Sequence, residues 1–86
     1  MSKLIDLYKQ STSYYVSLYG EDVDKLPVSK EVGFTNSAKA VQDEVLAFAI
    51  RYKMNQVTIL LGENFSDGWP HEVKVNVQIK YELTEL

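Results

Sequence analysis

The fold of this chain is decided by the stretch EVKVNVQIKYELT, residues 72–84. Apolar residues occupy every second position, and polar or charged residues fill the positions between them. Because successive side chains of a strand point to opposite faces of a sheet, this alternation predicts one long strand, the longest in the chain. A strand with one apolar face is typical of an antiparallel sheet whose other face meets solvent. The side chains predicted to point inward are Val75, Val77, Ile79 and Tyr81.

Three segments ahead of this stretch also have strand character. Residues 56–61 are rich in apolar and β-branched residues and end at Gly62, which predicts a shorter, buried strand. Residues 13–19 alternate as well, and residues 26–34 are a candidate returning strand that Pro27 and Gly33 would restrict to a sheet edge. Turn-forming residues fill 63–71 and connect the last two strands. The sequence therefore predicts two hairpins.

A long helix is predicted between the hairpins, from about residue 37 to residue 54. Apolar residues recur there at three- and four-residue spacings, which places them on one stripe of a helix. Asn36 or Ser37 can cap the first backbone amides, while Arg51 and Lys53 suit the negative helix end. The stripe consists of Ala38, Val41, Val45, Phe48, Ala49 and Tyr52.

The opening segment has the spacing of a short helix. Leu4, Leu7 and Tyr8 would lie on one side of it, but so short a helix is stable only when it docks on the rest. We therefore expect residues 1–86 to form one small α+β domain with two layers. A four-stranded, mostly antiparallel sheet of two hairpins would carry one long helix on one face, with room for a short N-terminal helix.

The composition restricts the function classes. The chain has 86 residues, no cysteine and a net charge of −3. It therefore has neither disulfides nor thiolate metal ligands, and its charge gives little support to phosphate binding. The amino-terminal residues lack the unbroken apolar run of a signal peptide, and no segment is apolar enough to span a membrane. We expect a cytoplasmic protein without membrane contact.

No catalytic or metal-binding motif is present in the sequence. His71 is the sole histidine, so one chain cannot build a multi-histidine metal site. No serine lies in a Gly-x-Ser-x-Gly elbow, and the four glycines are too scattered to cradle a phosphate. Glu21, Asp22 and Asp24 fit a solvated turn better than a calcium loop. The sequence predicts a protein that is not an enzyme and that needs no cofactor or metal.

Two groups of residues are candidates for partner binding. The first lies in the predicted loop and comprises Phe65, Asp67, Trp69 and His71. Large aromatic residues in such a loop either fold back on the core or serve as anchors for a partner. Both arrangements are compatible with the sequence.

The second candidate group lies on the long helix. Leu46 and Ile50 fall roughly opposite the apolar stripe, among Lys39, Asp43 and Lys53. Two copies of the chain could pack these residues together as a weak homodimer, or the opening segment could cover them. Either outcome would remove an apolar spot from solvent.

The profile as a whole favours binding of another protein. In size and charge, and in its lack of catalytic motifs, the chain is similar to small phage and mobile-element proteins that block a host enzyme, including anti-CRISPR proteins, and to bacteriocin immunity proteins. The first hypothesis is a stoichiometric inhibitor of a host or partner enzyme. The alternatives are a self-associating assembly subunit and a small module that binds single-stranded nucleic acid or a ligand. Bases would then stack on an open sheet face with Tyr15, Tyr19, Lys74, Gln78 and Lys80.

Overall fold

Helices and strands both contribute to the fold. The computed structural model describes residues 2–10, 13–63, 68–78 and 82–86. In chain order the elements are α1 (Ser2–Gln10), β1 (Tyr14–Glu21), β2 (Pro27–Thr35), α2 (Ala38–Tyr52), β3 (Gln56–Gly62), β4 (His71–Val77) and β5 (Leu83–Glu85). The α+β class predicted from the sequence is therefore confirmed.

The strands form one sheet in the order β2-β1-β3-β4-β5, and every neighbouring pair is antiparallel. As predicted, β1 and β2 form one hairpin and β3 and β4 form another. The two hairpins meet where β1 pairs with β3. The strand β2 lies at an edge of the sheet, which suits a strand that begins at Pro27 because proline cannot donate a ladder hydrogen bond.

Residues 72–84 do not form the single long strand that their alternation predicts. The strand β4 ends at Val77, the chain reverses, and β5 returns with Leu83 paired to Val77. The amide of Gln78 donates to the carbonyl of Glu82 over 2.9 Å and closes the reversal. The described sheet therefore has five strands instead of the predicted four, and its longest strand is β2 with nine residues.

The alternation misleads because both arms of a hairpin keep the same period. Leu83 lies opposite Val77, so apolar residues face each other and the pattern continues through the reversal. The stretch also contains no glycine or proline to mark a turn. Of the residues predicted to point inward, Val75 is buried and Val77 is half-buried. Ile79 and Tyr81 lie outside the described residues.

The long helix α2 forms where the apolar stripe predicts it. At its start the Ser37 hydroxyl accepts a hydrogen bond from the Ala40 amide at 3.1 Å, which confirms Ser37 as the N-cap. At its end Lys53 adopts a left-handed conformation with φ 55° and terminates the helix. The buried residues of α2 are Val41, Val45, Phe48 and Ala49, all members of the predicted stripe.

The short helix α1 is stabilised by docking on the rest of the molecule. Leu4 and Leu7 are buried in the common core, and the hydroxyl of Tyr14 donates to the Leu7 carbonyl at 3.0 Å. At the helix start the Lys3 amide donates to a carboxylate oxygen of Glu85 at 2.8 Å. These contacts explain how nine residues hold a helix that would be marginal in isolation.

The hydrophobic core lies between the helices and one face of the sheet. On the central strands β1, β3 and β4, most of the side chains that point to the helices are apolar and buried. The sheet contributes Tyr14, Val16, Leu18, Val57, Ile59, Leu61, Val73 and Val75 to this core. The other face of the sheet takes no part in the core, so its side chains need another explanation.

Candidate functional site

We call the side of the sheet away from α1 and α2 the open face, and the side toward them the covered face. On β1 the covered face holds Tyr14, Val16 and Leu18, whereas Tyr15 and Tyr19 alternate onto the open face. The strand register places Thr58 and Leu60 of β3 and Glu72, Lys74 and Asn76 of β4 on the open face as well. No described helix lies over these residues.

A β-bulge in β2 brings another aromatic ring to the open face. The register shifts so that Val16 pairs with Gly33 and the next residue, Ser17, pairs with Glu31, which leaves Val32 as the extra residue. Gly33 has φ 93°, a backbone conformation that residues with a Cβ rarely adopt. After the bulge Phe34 lies opposite Tyr15 on the open face. Because Val32 is an extra residue, the side chain of Phe34 points to the face opposite to the one that the alternation of the preceding residues predicts.

Three aromatic rings meet at one end of the open face. The ring centroid of Tyr15 lies 5.0 Å from that of Phe34 in an edge-to-face arrangement and 5.9 Å from that of Trp69, with an interplanar angle of 32°. Phe34 is 57% exposed, Tyr19 is 43% exposed and Trp69 is 37% exposed. These values show that large apolar groups remain accessible, although the covered face offers a core in which such groups are normally buried.

A shallow groove crosses the open face between the rings. Its volume is about 440 Å³, and it is lined by Tyr15, Ser17, Tyr19, Glu31 and Trp69. The two tyrosines flank Ser17 along β1, and Glu31 lies directly opposite Ser17 on β2. Because serine is small, Ser17 forms the floor of the groove, and the aromatic rings form its walls. We call this feature the aromatic groove.

The open face is more acidic than basic among the described residues. Glu21, Glu31 and Glu72 lie on it, whereas Lys74 is its one described cation. The ammonium of Lys74 lies 3.7 Å from a Glu72 carboxylate oxygen and is therefore already partly neutralised. A face with this balance repels phosphates and attracts positively charged groups.

The structure separates the loop residues that the sequence groups together. Trp69 lies on the open face against Tyr15, while His71 begins β4 on the covered face, where its ring centroid is 5.6 Å from that of Tyr14. Phe65 and Asp67 lie outside the described residues. Trp69 and His71 consequently do not form a common surface, and of these two residues it is Trp69 that belongs to the aromatic groove.

The helix residues proposed from the sequence lie on the other side of the sheet. Leu46 is half-buried and Ile50 is 50% exposed. Both belong to α2, so the sheet separates them from the aromatic groove. Trp69 and the two helix residues therefore belong to different surfaces, on opposite sides of the sheet.

Sequence analysis missed Phe34 as a surface residue. A strict alternation through residues 26–34 places Phe34 on the same side as Val28, whereas the bulge turns it to the open face. The available signal is Gly33, because a glycine inside a strand often marks a bulge. Tyr15 and Tyr19 were identified on the open face, but only as candidates for base stacking.

Two further features of the described residues concern metal binding and shifted pKa values. No group of three or more histidine, aspartate or glutamate residues is placed there to hold a metal ion. Burial is the main cause that raises the pKa of the Tyr8 hydroxyl. Tyr8 lies beside Tyr14 and Thr35, away from the aromatic groove. None of the described helices is long and apolar enough to cross a membrane.

Comparisons with known protein families, with curated proteins and with solved structures find no match for this chain.

Proposed function

We propose that this chain is a non-enzymatic protein-binding module that inhibits a partner enzyme stoichiometrically through its open face. The observation that carries the proposal is the set of accessible aromatic rings on the open face: Phe34 and Trp69, which contact Tyr15, and Tyr19 on the same strand as Tyr15. Tryptophan and tyrosine are among the residue types that contribute most to protein–protein affinity. Tyr15, Tyr19 and Phe34 lie on regular strands, which gives this part of the surface a fixed shape and lowers the entropy cost of binding.

The charge of this face favours a protein over a nucleic acid as the partner. A stacking platform for single-stranded nucleic acid combines aromatic rings with a groove of cations that follows the phosphates. Here the groove contains the carboxylate of Glu31, and the one described lysine of the face is next to Glu72. Among the described residues of this face the rings are accompanied by carboxylates and a single lysine, which supports recognition of a protein surface.

Inhibition is the effect expected of a small module that binds without chemistry of its own. Such a module changes its partner by occupying the partner's surface, so the inhibited fraction follows the bound fraction. The partner recovers when the complex dissociates, and activity reaches its minimum at one equivalent of a tight binder. This behaviour separates the proposal from an enzyme, which would act at far less than one equivalent.

The test uses two double variants that remove similar exposed apolar groups from different places. Tyr19→Ser/Phe34→Ser alters the open face, and Val23→Ser/Leu26→Ser alters the turn between β1 and β2, where both residues are well exposed. Each immobilised protein is exposed to bacterial extracts, and each captured enzyme is then titrated with free protein. We expect a partner that wild type and the turn variant bind and inhibit at one equivalent, with binding at least about tenfold weaker for the open-face variant.

Two results would contradict the proposal. One is equal binding of the partner by both double variants, since the open face would then not be the contact. The other is a wild-type dimer in sedimentation experiments that the open-face variant alone dissociates. That result would assign the aromatic rings to self-association, as in an assembly subunit.

A further inference from the structure

We infer that the aromatic groove binds the guanidinium group of an arginine side chain on a basic segment of the partner protein. This inference rests on the proposed function and specifies the chemistry of the partner at that surface. It follows from three properties of the groove: the orientation of its rings, the position of its carboxylate and the charge of its surroundings.

The rings provide flat surfaces for a planar cation. The planes of Tyr15 and Trp69 differ by 32°, so their faces point in similar directions, and Tyr19 borders the same groove four residues further along β1. A cation over such a face is attracted by the electrons of the ring, and guanidinium also stacks on it. Groups of two or three aromatic rings are a common means of holding organic cations.

The carboxylate lies where it can meet the same cation. Glu31 is opposite Ser17 in the strand register and therefore diagonal to both Tyr15 and Tyr19. Its side chain is exposed, and it forms no ion pair with any residue in the described part of the chain. A carboxylate and a guanidinium can form two parallel hydrogen bonds, which adds geometric selectivity to the stacking.

The surroundings favour arginine over the other cationic side chain. Lysine presents a compact, strongly hydrated charge, whereas guanidinium is planar, weakly hydrated and able to stack and pair at once. The net charge of −3 and the carboxylates of Glu21 and Glu72 on the same face add long-range attraction to a basic surface. An arginine-containing basic segment is thus the occupant that satisfies every property of the groove.

The experiment uses Trp69, the single tryptophan of the chain, as an intrinsic fluorescent probe. The probe ligand is a short glycine-serine peptide with two arginines, with matched peptides that carry lysine or citrulline instead. We expect a saturable change in Trp69 emission with the arginine peptide and at least about fivefold weaker binding of the lysine peptide. The uncharged citrulline peptide is expected to give no saturable change.

Two glutamine variants locate the site. Glu31→Gln removes the carboxylate of the groove, and Glu72→Gln removes a carboxylate on the same face outside it. We expect Glu31→Gln to weaken binding of the arginine peptide roughly tenfold and Glu72→Gln to weaken it by less than about twofold. Equal effects of the two variants, or citrulline binding as tight as arginine binding, would overturn the inference. Tighter binding of a short oligothymidine than of the arginine peptide would overturn it in favour of nucleic acid.

The outcome is distinguishable from failure of the proposed function. If the open-face double variant loses a captured partner while Glu31→Gln keeps full affinity for it, the open face is the contact and the arginine site is wrong. If the arginine peptide binds with the expected dependence on Glu31 but the two double variants capture the same partners, the groove binds arginine and the proposed inhibitory contact is wrong.

Discussion

The covered and open faces of the sheet are made by the same strands, yet they use apolar residues differently. Val16, Leu18 and Ile59 on the covered face are fully inaccessible, whereas Tyr19 and Phe34 on the open face keep about half of their surface in water. The covered face is filled with branched aliphatic residues, and the open face holds aromatic rings around a carboxylate. Aliphatic residues are the usual material of a packed interior, and aromatic residues are enriched in binding surfaces. The difference teaches that the covered face supplies the packed core, while the open face keeps the accessible aromatic surface to which our proposal assigns recognition.

Two neighbouring residues of β4 provide the strongest test of this division. Val75 is completely buried on the covered face, and Asn76 follows it on the open face. Val75→Asp would place an unpaired carboxylate in the core, so we expect a loss of about 4 kcal/mol or more and an unfolded chain in ordinary buffer. Asn76→Asp adds the same charge to the open face and should change stability by less than about 0.5 kcal/mol.

Denaturant unfolding followed by circular dichroism measures both variants. Similar midpoints for Val75→Asp and Asn76→Asp would show that the two faces are not buried as differently as the structure indicates. A stably folded Val75→Asp would mean that the covered face tolerates a charge. The covered face could then no longer be called the structural face and the open face the one left over for binding.

Gly20 tests how closely the covered face is packed. A Cβ atom at this position would lie 2.5 Å from the sulfur of Met54 and 3.3 Å from the carbonyl oxygen of Gln56. Gly20→Ala should therefore lower the free energy of unfolding by about 1–3 kcal/mol, because Met54 must move within a filled core. In a Met54→Ala background the same change should cost clearly less, since the sulfur is gone.

The comparison of the two backgrounds is a double-mutant cycle measured by denaturant unfolding. An equal cost of Gly20→Ala with and without Met54 would attribute the effect to the backbone of Gln56 or to β1 itself. The side chain of Met54 would then have room to move away from the added Cβ, although the two atoms would start only 2.5 Å apart.

The covered face was largely predictable from the sequence, because burial imposes periodicity. The stripe of α2 and the alternation of β1 and β4 are direct consequences of residues that must reach the same core. The reversal between β4 and β5 escaped prediction because Val77 and Leu83 pair across it and keep the period intact. Period alone cannot distinguish one long strand from a hairpin whose arms are in register.

The open face was less predictable, because nothing in its sequence must repeat. Phe34 reaches it through a bulge, and Trp69 reaches it from a loop, so neither obeys the alternation of a strand. The separation of Trp69 from His71 likewise depends on where β4 begins. Glu31 became a candidate only when the strand register placed it opposite Ser17, between two tyrosines. Such a site is assembled by tertiary structure, and spacing along the chain does not reveal it.

The smallest expected effect concerns Tyr8, where α1 meets the rim of the covered face. Burial raises the pKa of the Tyr8 hydroxyl above its ordinary value of 10.0, and a hydrogen bond with the hydroxyl of Thr35 acts in the opposite direction. The nearby Tyr14 adds to the rise in this pKa. A raised pKa means that the folded chain holds this proton more firmly than the unfolded chain does. The resulting stabilisation is complete below the unfolded value and is lost as pH rises through the folded value.

We therefore expect the free energy of unfolding to decline as the pH rises past about 10, the ordinary pKa of tyrosine, and to decline less steeply in Tyr8→Phe, which has no proton to lose at this position. Denaturant unfolding at a series of pH values measures both slopes, and tyrosinate absorbance of the folded protein measures the titration directly. Tyr8→Phe also removes the hydrogen bond to Thr35, which should lower stability at neutral pH by about 1 kcal/mol. The informative quantity is thus the slope of the unfolding free energy against pH, because the loss of the hydrogen bond lowers this free energy equally at every pH below the titration. An unchanged slope in Tyr8→Phe would mean that solvent reaches the Tyr8 hydroxyl, where α1 meets the covered face, more freely than the structure indicates. The helix α1 would then contribute less to the covered layer than α2 does.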